Sequence, residues 1–227
     1  MEKFYAFKQV GNDAELTIFG DITSLRWYES DVSSYDFKKE LDEITADNLL
    51  VRINSYGGEV GEGLAIYNLL KDYKGNVTTQ VEGFACSIAS VIFMAGKERV
   101  MNKSSLLMVH NAWTGCYGNA NDFEKMADDL RKINEPILQA YITNSALTKE
   151  EVQDLLDGET WIIPDEALLY GFATKVVDSN VAMNSMEALQ FNGLVKKLKM
   201  LEKQIEQKND EPAKDDAGSF LNDFFRL

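Results

Sequence analysis

Residues 48–73, NLLVRINSYGGEVGEGLAIYNLLKDY, place an apolar run, a glycine-rich turn and a helical repeat side by side. The run 48–54 reads as a buried strand. Positions 64, 66, 67, 69, 70 and 73 are apolar, which is the spacing of a helix with a wide apolar face ending at Gly75. A strand and a helix joined so tightly can bury both faces only by stacking in layers, the arrangement of an α/β fold. The unit recurs. NVTTQVEG, 76–83, reads as a strand, and a helix runs from about Ser87 to Ala95 and stops at Gly96. ERVMN and LLMVHN read as further strands, and ELTIFGDI, 15–22, as an earlier one. SSYDFKKELDEIT, within 33–45, is a polar helix.

A long helical segment spans Asn121 to about Ser145, with a kink expected at Pro136 because proline removes a backbone donor. Thr148 opens the next helix, with Glu151 completing a capping box. PDEALLYG, 164–171, is a short helix with proline at its start and glycine at its end, and FATKVV is the closing strand. After Asp178 the composition changes. Phe191, Leu194, Leu198, Leu201 and Ile205 step by three and four, the pattern of a two-heptad amphipathic helix. QKNDEPAKDDAGS is a solvated linker, and FLNDFFRL returns to aromatic character that could dock on a partner. The chain thus divides into a domain at 1–180, an amphipathic helix at 181–208 and an acidic linker with an apolar tail at 209–227.

The chain is 227 residues long, 45% hydrophobic, with a formal net charge of −14. One sizeable core and an appendage fit that length. A surface so acidic repels phosphate backbones, which argues against nucleic-acid binding. Cys86 and Cys116 match no metal spacing and make no disulfide framework. No secretory signal or membrane-length apolar run is visible. The expectation is a soluble cytoplasmic protein.

Four features could carry chemistry. Ser87 follows GFAC at the head of a helix, where unpaired amides and the helix dipole would stabilise an oxyanion. It could equally be a plain N-cap, a role serine favours. Ser90, one turn on, reads as a core or helix-facing hydroxyl, and Cys86 as a small buried residue. The glycines of NSYGGEVGEG let backbone amides face a ligand; a phosphate loop is excluded because the Gly-Lys-Ser/Thr ending is absent. An oxyanion hole or a rail for an extended peptide fits better. His110 is the sole histidine, placed where an apolar strand meets a polar loop, so any imidazole base is this residue. Glu159 and Asp157, in DGETW, are the candidate acids, and spacing does not choose between them.

In order along the chain, VRINSYGGEVGEGLAIYNLL, GFACSIAS, LLMVHNAWTGCYGNANDF and ETWIIPDEALLYGFAT resemble the Clp-type serine peptidases of the ClpP/crotonase fold, over about residues 15–178. The resemblance implies that fold, with repeated strand–helix units, a long projecting helix and, here, a C-terminal extension. It implies Ser87 as nucleophile, His110 as base, and Glu159 where the family commonly has aspartate, Asp157 being the alternative. The oxyanion amides would be those of Gly58 and Ile88, with Gly57 and Gly58 along the substrate; Tyr56 stands where the family has proline. It implies acyl-enzyme hydrolysis of peptide bonds without metal or cofactor, and assembly into homo-oligomeric rings through the long helix. The ETW segment and the C-terminal extension look like the phage and prophage branch, the prohead proteases that process scaffold and capsid proteins in the host cytoplasm or procapsid. The rivals are a housekeeping subunit fed by an ATPase, a catalytically silent assembly protein on the same fold, and a crotonase-type enzyme acting on acyl-coenzyme A.

Overall fold

The computed structural model describes residues 8–25 and 27–178. The expected C-terminal helix, linker and tail lie outside the described residues. Strand β1 (Lys8–Val10) pairs antiparallel with β2 (Asp13–Ile18). Helix α1 (Ser34–Glu43) comes next, its first turn capped by Ser33, whose hydroxyl accepts from the Asp36 amide. Strand β3 (Asn48–Ser55), helix α2 (Val60–Lys71), strand β4 (Asn76–Cys86) and helix α3 (Ile88–Phe93) are the repeated units. Strands β5 (Glu98–Asn102) and β6 (Leu106–Val109) extend the sheet. Helix α4 (Ala120–Ile142), helix α5 (Lys149–Asp157), strand β7 (Thr160–Ile162), helix α6 (Pro164–Leu169) and strand β8 (Lys175–Val177) complete the described chain. None of its helices is long and apolar enough to cross a membrane.

The sheet runs β1-β2-β3-β4-β5-β8, and β6 branches from β4 to pair with β7. Apart from the β1–β2 and β6–β7 pairs, every ladder is parallel. The branch arises because β4 is long. Thr78–Val81 pair with β5, and Phe84–Cys86 pair with β6. Between these halves the register against β3 shifts, from Ile53 opposite Val81 to Ser55 opposite Ala85. Asn54 braces this bulge, its side-chain Oδ1 accepting from the Phe84 amide at 3.1 Å. A bulge bends its strand and turns the far end in a new direction, and here that far end leads into Ser87.

The centre of the sheet is largely apolar, with Thr79 of β4 a buried exception whose hydroxyl donates to the Phe93 carbonyl at 2.7 Å. Ile18, Val51, Ile53 and Val81 are wholly buried, as are Ile66 from α2 and Ile92 and Phe93 from α3. Burying each such side chain contributes roughly 1.5–3 kcal/mol. Helix α2 begins earlier than the apolar spacing suggests, inside the glycine-rich stretch. Gly63 explains why: a Cβ there would lie 2.1 Å from Ile88 Cγ1, so only glycine lets α2 settle on α3. Strand β2 ends at Ile18, and Ile22 beyond it makes single bridges to Val32 and Gly58. The short antiparallel strands β1 and β7 carry no alternation long enough to be read from sequence.

Two polar anchors hold the periphery. Thr148 and Glu151 form the expected capping box at α5, with bonds of 3.2 and 2.8 Å. Arg99 in β5, nearly buried, donates to the carbonyls of Gly96, Gly171, Phe172 and Asn144 at 2.9, 3.0, 2.7 and 3.4 Å. Among the described residues it pairs with no carboxylate; carbonyl dipoles solvate it instead. Helix α4 runs through Pro136, and its residues from Ala120 to Pro136 are exposed or half-buried. Only its last turns, with Ile137, Leu138, Ala140 and Tyr141, enter the core.

Candidate active site

The register of the sheet brings distant residues together. Cys86 at the end of β4 lies beside Met108 in β6, so Ser87 and His110 leave adjacent parallel strands at the same edge. The Ser87 amide donates to the Met108 carbonyl at 2.8 Å, fixing the exit. The Ser87 hydroxyl then lies 2.8 Å from His110 Nε2, within hydrogen-bond reach. Ser87 does precede α3, but its hydroxyl caps no helix amide. The plain N-cap reading is therefore replaced by a hydroxyl paired with the only imidazole in the chain.

Ser87 sits at φ 54° and ψ −129°. Among the described residues, Ser87 and Glu159 are the only non-glycine positions with positive φ. Such conformations cost on the order of 1–3 kcal/mol each and need surrounding structure to hold them. The structure that holds Ser87 is Ser90, one turn into α3 and fully buried. Its Oγ lies 2.5 Å from the Ser87 carbonyl, 3.1 Å from the Met108 carbonyl and 2.6 Å from the Tyr141 hydroxyl.

The glycine pair closes the other side. Gly57 has φ 101°, and a Cβ on it would meet the Cys86 carbonyl and Ser87 Cβ, both at 2.8 Å. Gly58 has φ 146°, and a Cβ there would lie 2.1 Å from the Ile22 carbonyl oxygen. Side chains are thus excluded at both positions, and the bare backbone approaches the serine. Ile88 is the first residue of α3, so its amide has no acceptor within the helix. A Cβ on Gly57 would also lie 3.3 Å from that amide nitrogen.

The β6–β7 ladder sets where Glu159 lies. Val109 pairs with Thr160 in antiparallel register, which sets position 110 opposite position 159. Glu159 lies just past the end of α5 at φ 47°. Among the described residues no hydrogen bond joins its carboxylate to His110. Asp157 is committed elsewhere, accepting from Asn111 Nδ2 at 2.6 Å and Gln153 Nε2 at 2.7 Å.

Cys86 is adjacent to Ser87 but chemically silent at neutral pH. Burial pushes its thiol up to about 11, so it carries little thiolate. Around Ser87 and His110 opens a cleft of about 880 Å³. Aromatic side chains dominate its walls: Trp27, Tyr28, Tyr56, Trp113 and Trp161. Tyr56 and Trp161 each meet Phe84 edge to face, at ring separations of 5.6 and 5.7 Å. Sequence reading missed Ser90 with Tyr141, and the aromatic walls. Three large apolar residues in the polar stretch SLRWYES were the signal that could have revealed the second.

Known proteins agree with this architecture. The model of the Clp protease family matches residues 40–180, and the chain belongs to that family. A curated relative, the ATP-dependent Clp protease proteolytic subunit of Deinococcus radiodurans, is 34% identical over 128 residues. The match covers 56% of this chain and 63% of the relative, so it spans less than two thirds of the relative's length.

Proposed function

We propose that the chain is a serine endopeptidase working through an acyl-enzyme, and the 2.8 Å contact between Ser87 Oγ and His110 Nε2 carries that reading. His110 Nε2 takes the hydroxyl proton as Ser87 Oγ bonds to the scissile carbonyl carbon. The carbonyl oxygen, now negative, rests on the amides of Gly58 and Ile88. As the C–N bond breaks, His110 returns the proton to the leaving amine. Water then repeats the sequence on the ester, releasing the acid and restoring Ser87. A fluorophosphonate probe tests the reading directly: mass spectrometry should find it on Ser87. Modification at any other hydroxyl rejects the assignment.

Glu159 is the acid that orients His110 in this scheme, because the β6–β7 register puts their backbones opposite one another. Glu159→Gln is expected to lower kcat by about 10²- to 10⁴-fold, the range for losing the orienting carboxylate of a triad. Asp157→Asn should change kcat by no more than a few fold. Steady-state kinetics on one fluorogenic peptide ranks the pair, and the reverse order moves the role to Asp157.

The finer role we propose is that of a phage or prophage head-maturation protease, assembled as a homo-oligomeric ring and cutting scaffold or capsid proteins. The ETW acid segment and the heptad-and-aromatic extension support it. The apolar residues Phe123 and Ile133, exposed on α4, support burial of that helix between subunits. The housekeeping reading draws on the relative's printed name, which makes that relative an ATP-dependent proteolytic subunit. Digestion of an assembled capsid precursor without ATP or an unfoldase favours the viral role. Cleavage of folded protein only with an added ATPase ring favours the other.

A further inference from the structure

We propose that residues 23–25 and 27–31 form a specificity wall of the cleft, and that Trp27 and Tyr28 on it select substrates with a large aromatic or apolar side chain beside the scissile bond. The inference rests on the peptidase reading above and deepens it. The segment precedes residues 40–180, the span matched by the Clp protease model.

The segment is built to hold its shape. It leaves and rejoins the fold at one point, where the Thr23 amide donates to the Val32 carbonyl at 3.0 Å and the Val32 amide to the Asp21 carbonyl at 2.9 Å. Inside it Asp31, only 3% exposed, accepts from the amides of Trp27 and Tyr28 through one carboxylate oxygen, both at 2.9 Å. At its base the hydroxyls of Thr23 and Ser24 donate to Glu59 Oε1 at 2.8 and 3.2 Å. The Thr23 bond is the main reason the Glu59 carboxyl is held below its usual range, so the tie stays charged and intact at neutral pH. Glu59 is also the residue next to Gly58, and its amide donates to the Ile22 carbonyl at 2.7 Å. The wall and the oxyanion amides therefore share one anchor.

On this fixed frame Trp27 is 81% and Tyr28 73% exposed. Rigid aromatics bind apolar groups at low entropic cost, and both line the cleft that holds Ser87 and His110. The cleft lining also includes the carboxylates of Asp21, Asp31 and Glu59.

The test compares Trp27→Ala and Tyr28→Ala with the unaltered chain on matched peptides carrying phenylalanine, alanine or glutamate around the cleaved bond. The unaltered chain should turn over the phenylalanine peptide fastest, since neither alanine nor glutamate offers the aromatic wall an apolar contact of that size. Each variant should raise KM for the phenylalanine peptide by about tenfold, the scale of one apolar contact in a specificity pocket, and leave the alanine peptide nearly unchanged. Fluorophosphonate labelling of Ser87 should keep its rate. Labelling retained with the peptide ranking unaltered overturns the wall alone, as does an equal loss on all peptides or a shift in oligomer size by light scattering. Failure of the unaltered chain to label overturns the peptidase reading beneath it.

A different observation carries a second inference, which also rests on the peptidase reading. We infer that Tyr141 is a positioning residue for Ser87. Its hydroxyl, buried in α4, has Ser90 Oγ as its hydrogen-bond partner. Two hydroxyl protons then account for the chain of bonds: Tyr141 donates to Ser90, and Ser90 donates to the Ser87 carbonyl. Fixing that carbonyl fixes the strained turn. Tyr141→Phe should lower kcat and the labelling rate together by about tenfold with KM unchanged, the loss of one hydrogen bond in effect. Adding Ser90→Ala should lower them little further, because the two act in series. A variant that melts earlier yet keeps both rates shows a structural hydroxyl only and overturns the assignment.

Discussion

Ser87→Ala should abolish peptide hydrolysis, with kcat falling by roughly 10⁶-fold, as when a serine peptidase loses its nucleophile. No neighbour can substitute. The Cys86 thiol is held protonated by burial, with its pKa pushed up to about 11. Ser90 is locked between two carbonyls and the Tyr141 hydroxyl. His110→Ala should cost nearly as much, because no second imidazole exists to take the proton. The double variant should fall no further, since the pair acts as one unit. Some rate above the uncatalysed reaction should survive in all three, because the amides of Gly58 and Ile88 stay in place. The measurement is burst and steady-state kinetics on a fluorogenic peptide, with circular dichroism to verify the fold. Retention of wild-type kcat in both single variants would remove the peptidase reading altogether.

The second large effect is on stability. Arg99→Met should destabilise the described domain by about 4 kcal/mol, since a buried charged group contributes roughly 1.5–3 kcal/mol per hydrogen bond and relaxation recovers part of the loss. The guanidinium bonds to the carbonyls of Gly96, Asn144, Gly171 and Phe172. Methionine fills the volume and donates to none of them. At roughly 2–4 °C per kcal/mol for a chain of this size, the midpoint of thermal unfolding should fall by about 10 °C. Arg99→Lys should recover only part, because one ammonium cannot fork among four acceptors. A calorimetric shift of a degree or two for the methionine variant would mean that water or backbone movement satisfies those carbonyls.

The order of elements was legible because each strand–helix unit carries its own apolar spacing and glycine stop. So were Ser87 and His110, each at a strand end where apolar character breaks off. The pairing of those residues was not legible: it depends on the register of β4 against β6, a long-range match that no local pattern encodes. The choice between Glu159 and Asp157 was open in the sequence for the same reason: what each lies beside depends on the ladder from Val109 to Thr160, another long-range match. The start of α2 at Val60 escaped because glycine within a helix normally argues against one. Gly63 is there for the approach of Ile88, a tertiary demand that overrides propensity. Ser90 looked like an ordinary small core residue because its partner, Tyr141, lies 51 positions away.

The bulge between Val81 and Ala85 makes segment length as binding as residue identity. Neighbouring side chains on a strand point to opposite faces, so shortening that stretch by one residue turns the whole outer end of β4 over. GFACS would then present its other edge, burying the hydroxyl and turning a core residue toward the cleft. Diversification along this chain is steered accordingly: insertions are tolerable at the rim, where Thr23–Asp31 rises from a closed base, and forbidden in the few residues between the fork and the serine.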